Sequence, residues 1–278
     1  MRALAEFVMR GRPQAIGVSV LAAPLPLLHL LSTSVASLVL LRRGLPEGLL
    51  VIAWTCLPLA VIYTFSGDPG PIITLLGTAV LAHTLRTTMS WKWVLVGAVP
   101  IAGVGAWVFS VIATDLLDIW VQWYQELTGT MEATEGVENV RQVLIGFFAM
   151  GQAFVMLGLL ALARWWQSEL YNPGGFSKEF HQLRLLPPVS AVIVVLMVGC
   201  ALSDIPELAR WLPVLTVPLV MAALGLAHWA ISYNELSTGW VVGFYILLML
   251  VPQLVYPLLV AGALMDSGLD LRKRFQKE

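Results

Sequence analysis

The amino-acid sequence predicts an all-α protein: a polytopic transmembrane helical bundle of about six full spans, with a Pro-broken hydrophobic hairpin at each end. Three observations lead there. First, of the 278 residues 58% are hydrophobic and only 12% charged, whereas a soluble domain carries about 25% charged residues. Second, the apolar residues gather into runs close to the roughly 20 residues that cross a bilayer at about 1.5 Å per residue. Third, nearly all basic residues fall in the gaps on one side of those runs. No long polar stretch stands apart from the runs, so residues 1–278 read as a single integral membrane domain. The formal net charge of -1 offers no basic surface of the kind nucleic acid needs.

The N-terminal stretch carries Arg2, Arg10 and Arg12 before an apolar run, which imitates a secretory signal. It lacks a clean small-x-small cleavage site before a soluble domain and reads as retained. The next segment, Gln14 to Leu41, contains Ala23-Pro24-Leu25-Pro26. Proline removes a helix hydrogen bond and clashes with the preceding turn, so the segment is expected to turn back, its turn buried in protein because lipid leaves freed backbone groups unsatisfied. Six spans follow, roughly Glu47 to Phe65, Pro71 to Leu85, Trp93 to Ala113, Gln142 to Ala163, Pro187 to Ser203 and Leu212 to Ile231. Gly239 to Met265 forms the second hairpin, broken at Pro252 and Pro257, and residues 266–278 are a basic tail.

Charge decides the topology. With both end segments folded back, all 16 Lys and Arg residues except Arg141 and Arg210 lie on one side. With both ends crossing once, they divide almost evenly, against the positive-inside rule. Both termini are therefore expected in the cytoplasm. Trp91, Trp93, Trp165, Trp166, Trp229 and Trp240 near inner boundaries, and Trp120, Trp123 and Trp211 near outer ones, make the expected aromatic belts.

Two loops stand out. In the outer loop, 114–140, the stretch Asp115 to Leu127 alternates Asp115, Asp118, Gln122 and Gln125 with Leu116, Trp120, Trp123 and Leu127 at helical spacing. It reads as an interfacial amphipathic helix, or as a lid over an outward pocket with Asp118 and Tyr124 touching a ligand. Thr128 to Asn139 is expected to be a mobile acidic loop. The inner loop, 165–186, turns at Asn172-Pro173-Gly174-Gly175, and its Phe180 and Leu183 are expected on the bilayer surface or against a partner.

Within the spans, His29, Gln152 and Gln253 are the candidate ligand contacts, since polar groups there usually face a cavity and broken helices can expose backbone to a ligand. The other reading is that they satisfy carbonyls freed by proline. Ala15, Ser19 and Ala23, like Ala98, Ala102 and Ala106, recur every four residues, a face on which another helix can approach closely, from this chain or a partner membrane subunit. Cys56 and Cys200 lie singly in apolar runs and read as buried thiols. No metal-ligand spacing, phosphate loop or nucleophile motif appears, so neither cofactor nor metal is expected, and the sequence reads as non-enzymatic.

Taken together, Leu40-Leu-Arg-Arg-Gly-Leu-Pro-Glu-Gly-Leu-Leu50, Asn172-Pro-Gly-Gly-Phe176 and Asp266-Ser-Gly-Leu-Asp-Leu-Arg-Lys-Arg274 resemble, in order and spacing, the YybS-like family of predicted bacterial inner-membrane proteins. The resemblance runs over essentially the whole chain and implies location in the bacterial inner membrane. That family is distantly similar to the substrate-binding subunits of energy-coupling-factor transporters and to a rod-shape scaffold protein. The likeness implies either a small-molecule-binding transport subunit, docking a coupling protein through Ala15, Ser19 and Ala23, or a non-catalytic scaffold for a membrane complex.

Overall fold

Proline and glycine punctuate the helices. The computed structural model describes residues 2–129, 134–203 and 205–275. It opens with α1 (Arg2–Met9), α2 (Arg12–Ala22) and α3 (Leu28–Arg43), followed by α4 (Leu45–Ser66), α5 (Gly70–Thr88) and α6 (Trp91–Ile112). Next come α7 (Thr114–Thr128), α8 (Thr134–Tyr171), α9 (Gly175–His181), α10 (Pro187–Ala201) and α11 (Pro206–Ala209). The chain ends with α12 (Trp211–Tyr233), α13 (Thr238–Leu250), α14 (Pro252–Leu269) and α15 (Leu271–Phe275). Prolines occupy the first turns of α2, α4, α5, α10 and α14, where the missing N–H costs nothing. Gly44 (φ 97) and Gly67 (φ 67) end α3 and α4 in backbone conformations that glycine adopts without strain.

Among the described residues there is no strand, and α4, α6, α8 and α12 are each long and apolar enough to cross a membrane. A fifth crossing results if the bent pair α13 and α14 is counted as one. The expected spans at Pro71 to Leu85 and Pro187 to Ser203 correspond to α5 and to the short apolar α10. Both prolyl breaks are present. After α2 the chain turns through residues 23–27, and α3 runs back against α2. Leu27 takes a left-handed conformation at φ 63, one that costs a residue with a β-carbon roughly 1–2 kcal/mol. The turn is not buried in protein as expected, since Leu25 and Leu27 are exposed. The reason is length: α3, with 16 residues, runs about 24 Å and carries the turn to the end of the bundle where Asp68 stands near His29. Between α13 and α14 the chain bends by 118° at Val251.

The core forms around α8, which packs on α3, α5, α6 and α12. Its Ala149, Ala153, Met156, Leu157, Leu160 and Ala163 are buried at helical spacing, facing a segment of α3 buried continuously from Ser32 to Leu41. Small residues set these approaches, and Ala98, Ala102 and Ala106 on α6 are buried likewise. The expected acidic loop from Thr128 to Asn139 divides: residues 130–133 lie outside the described residues, and from Thr134 the chain is already α8. There Glu138 lies beside Arg141, three residues on, a pairing that supports helix.

Three further expectations change. Trp166 is not an interfacial anchor but one of the largest fully buried side chains. The inner loop folds onto the bundle instead of lying on a surface, because α9 packs on α8 and α12 and Leu183 is buried. Cys56 and Cys200 are free and only half-buried.

Hydrogen bonds tie one end of the bundle together through basic residues. Arg12 pairs with Glu47, Arg43 donates to the Met9 carbonyl at 2.7 Å, and Arg272 donates to the His181 and Leu183 carbonyls at 2.7 Å each. This is the basic end. Among the described residues, the opposite, acidic end carries Asp68, Asp115, Asp118, Glu126, Glu138 and Glu207 with Arg141 and Arg210.

Candidate functional site

At the acidic end, the space where an outward pocket was expected is filled. Leu117 and Val121 of α7 are buried, and Trp120 stacks on Phe109 (5.0 Å between ring centres), which stacks in turn on Phe148 of α8 at 4.1 Å. Asp118 pairs with Arg141 of α8 and so tethers α7 instead of facing a cavity. The pair is solvent-accessible, and such bridges contribute about 0–1 kcal/mol. Asp118→Asn is therefore expected to change unfolding stability by no more than about 1 kcal/mol, and a larger loss in chemical denaturation would show that this bridge holds α7.

The other sequence-derived candidates are dispersed. Tyr124 and Gln253 are exposed on α7 and on the first turn of α14. Gln152 accepts a 2.8 Å hydrogen bond from Thr74, joining α8 to α5. His29 is half-buried at the start of α3, and its carbonyl accepts hydrogen bonds from Ser32 (2.7 Å) and Thr33 (3.1 Å). Both hydroxyls thereby satisfy a carbonyl near the prolyl break. Ala15, Ser19 and Ala23 are at most 2% exposed, their face covered by the protein's own packing, with α2 seated on α3 and α4. That face leaves no room for another subunit. A groove of about 560 Å³ is walled by Tyr63 of α4, Ile72, Leu76 and Val80 of α5, and Val104 and Val108 of α6, an almost wholly apolar surface that suits hydrocarbon.

The arrangement with usable chemistry lies at the basic end. A recess of about 480 Å³ is bounded by Leu41 and Arg42 of α3, Leu85 and Arg86 of α5, Trp91 of α6, Arg164 and Gln167 of α8, and Glu179 of α9. Helix ends create it. Where Gly44 stops α3, the Leu41 carbonyl has no helical partner, and Arg86 donates to it through Nη1 while Gln167 lies 3.4 Å away. Arg42 stacks on the Tyr171 ring with its guanidinium carbon 4.0 Å from the ring centre, a cation–π contact that orients the charge without neutralising it.

Arg164 is held differently. Its Nε donates to Glu179 at 3.0 Å and its Nη2 to the other carboxylate oxygen, while Trp91 Nε1 donates to the same carboxylate at 3.1 Å. Glu179 therefore spends its charge on Arg164. Among the described residues no carboxylate pairs with Arg42 or Arg86. Beside Leu41, Leu85 and Trp91 stand two guanidinium groups with no carboxylate partner among the described residues, and the planar guanidinium fork matches phosphate and carboxylate in shape. In the sequence Arg42, Arg86 and Arg164 are topology signals alone. Their convergence has no local signature, because they come from three helices that only packing brings together.

The class of protein this defines is a helical bundle with apolar helices of membrane-crossing length and a basic recess at one end. No protein-family model, curated protein or solved structure matches the chain.

Proposed function

We propose that this is a non-catalytic, multi-pass protein of the bacterial inner membrane that binds a phosphate-bearing amphiphile at its cytoplasmic end. In this topology α4, α5, α6, α8, α10 and α12 make six traverses, the α2–α3 and α13–α14 hairpins return to their starting side, and both termini are cytoplasmic. The positive-inside bias supports it. A thiol at Lys273→Cys, a position whose side chain is 78% exposed, is expected to react only with reagent admitted to the cytoplasmic side.

The observation that carries the binding reading is the pair Arg42 and Arg86, lacking a carboxylate partner in a recess that is half polar and half apolar. A phosphate would meet the guanidinium groups while its apolar body lay along Leu41, Leu85 and Trp91. This keeps the small-molecule-binding subunit as the favoured class but moves its site from the outer to the inner side. The test is thermal unfolding of the full chain in neutral detergent with dodecyl phosphate, inorganic phosphate or a dodecyl trimethylammonium salt. Saturable stabilisation by dodecyl phosphate is expected, weak with inorganic phosphate and absent with the cation. Arg42→Gln combined with Arg86→Gln is expected to weaken binding at least about tenfold, or about 1.4 kcal/mol. Equal stabilisation of the variant and the parent would reject the site, and equal binding of inorganic phosphate would reject the amphiphile.

The second reading, a scaffold, is favoured by α13, an apolar helix with no buried residue. It calls for a stable membrane-protein partner that is lost on changing the exposed Val242, Ile246 and Met249 to polar residues.

A further inference from the structure

A second cavity, also lined by residues of α8 and α9, has a volume of about 570 Å³, within the size range of small-molecule sites. Its walls are Phe154, Gly158 and Trp165 of α8, Phe180 and His181 of α9, Leu224 and His228 of α12, and Tyr245 of α13. Nothing in the topology needs this space. Apart from its chain neighbours and the helix's own backbone, no heavy atom lies within 4 Å of where a β-carbon on Gly158 would stand, so the space beside Gly158 is open.

The polar chemistry gathers at one point. His228 Nε2 and Tyr245 Oη are 3.0 Å apart, and the His228 ring stands edge-on to Phe180 with centres 5.2 Å apart. A neutral histidine and a tyrosine together own two polar hydrogens. With the imidazole proton on Nε2, the histidine donates to the tyrosine oxygen and the tyrosine O–H is left at the same point for a ligand acceptor. Burial, and after it the positive charge of Arg272, hold the His181 imidazole below its ordinary range, which keeps it uncharged at neutral pH. Among the described residues the charged side chain of the lining is Glu169, with no arginine or lysine in it. An anionic head is therefore disfavoured, in contrast to the basic recess.

Aromatic rings supply the rest. Phe176 and Phe180 (5.7 Å), Phe180 and His228, and His228 and Tyr245 (5.8 Å) form a continuous line of ring contacts along one wall, a surface suited to offset or edge-on packing of another planar ring. We infer that this cavity binds a neutral, membrane-partitioning molecule with an aromatic or quinonoid carbonyl head, its carbonyl oxygen on the His228–Tyr245 pair and its apolar tail along Gly158. The site is independent of the phosphate reading.

The test is thermal unfolding of the full chain in detergent with decyl-substituted benzoquinone as probe, and dodecyl phosphate as the anionic comparison. The quinone is expected to raise the melting temperature saturably. Gly158→Leu fills open space and is expected to keep the protein folded while abolishing that rise. Tyr245→Phe, at a partly exposed ring, is expected to weaken binding about fivefold, the worth of a hydrogen bond. Arg42→Gln with Arg86→Gln is expected to leave quinone binding unchanged. No saturable rise, or an undiminished rise in Gly158→Leu, would overturn the inference. Dodecyl phosphate binding that disappears in Gly158→Leu would overturn the neutral head.

Discussion

Replacing Arg272 with alanine is expected to produce the largest loss of stability among the substitutions considered, about 3–5 kcal/mol. Arg272 and Asp266 side chains are only 10% and 3% exposed and lie 3.4 Å apart. The same guanidinium donates to the His181 and Leu183 carbonyls, fastening the C-terminal segment to the chain after α9. Alanine leaves two carbonyls without that donor and Asp266 as a buried carboxylate that has lost the larger of its two favourable charges, Arg184 being the other. Arg184 supports the clasp from the other side, donating to the Asp266 and Ser267 carbonyls at 2.9 Å each and pairing with Asp270 at 2.6 Å. It cannot replace the contact Arg272 makes with the Asp266 side chain. Denaturation in a single detergent should show the loss, and Arg272→Met together with Asp266→Leu should cost less than Arg272→Ala alone, because removing both charges removes the stranded one. A single-variant cost below about 1 kcal/mol would place the clasp among ordinary surface bridges.

Gly48→Val is expected to cost about 1–3 kcal/mol or more, for a steric reason. A β-carbon at Gly48 would stand 2.6 Å from the Leu40 β-carbon and 2.9 Å from its α-carbon. Backbone cannot swing aside as a flexible side chain can, so α4 must move away from α3 and give up the close packing on which helix association in lipid depends. The disturbance falls next to Leu41, whose carbonyl receives Arg86, so the basic recess should weaken along with the fold. Gly151→Ala is the control. Nothing stands within 4 Å of its would-be β-carbon, and in a helix interior alanine is expected to stabilise by roughly 0.5–1 kcal/mol. If both changes lower the melting temperature equally, the close approach of α3 and α4 does not explain the result.

Helix positions were legible where the physics is local. Apolar runs of bilayer length located α4, α6 and α12 closely. The break after Ala23 and the bend at Val251 follow from prolines whose rings cannot continue a helix. The start of α8 was less legible, because Thr134 to Arg141 is polar and reads as loop until Asp118 on α7 and the charges along α8 pair up.

The candidate site was largely illegible, and the reason is the same at each residue. Asp118 looked like a ligand contact until Arg141 was seen to hold it, and the small stripe Ala15, Ser19 and Ala23 looked like a docking face until the chain's own helices covered it. Trp166 fits an interfacial tryptophan by position alone, yet α8 turns it inward. Which partner a side chain meets is a long-range property with no signature in its neighbours along the chain.

What the sequence determined by itself is the solvent and the helical class. A chain with this excess of apolar residues and so few charges must bury its surface in lipid or in itself, and in lipid every N–H and C=O has to be bonded within helices or a closed barrel. What only the tertiary structure decided is which polar groups remain unspent. Arg164 is neutralised by Glu179, Arg272 by Asp266 and backbone carbonyls, while Arg42 and Arg86 keep their charge. Composition counts these arginines as equals; packing separates them, because among the described residues it gives a carboxylate to Arg164 and Arg272 and none to Arg42 and Arg86.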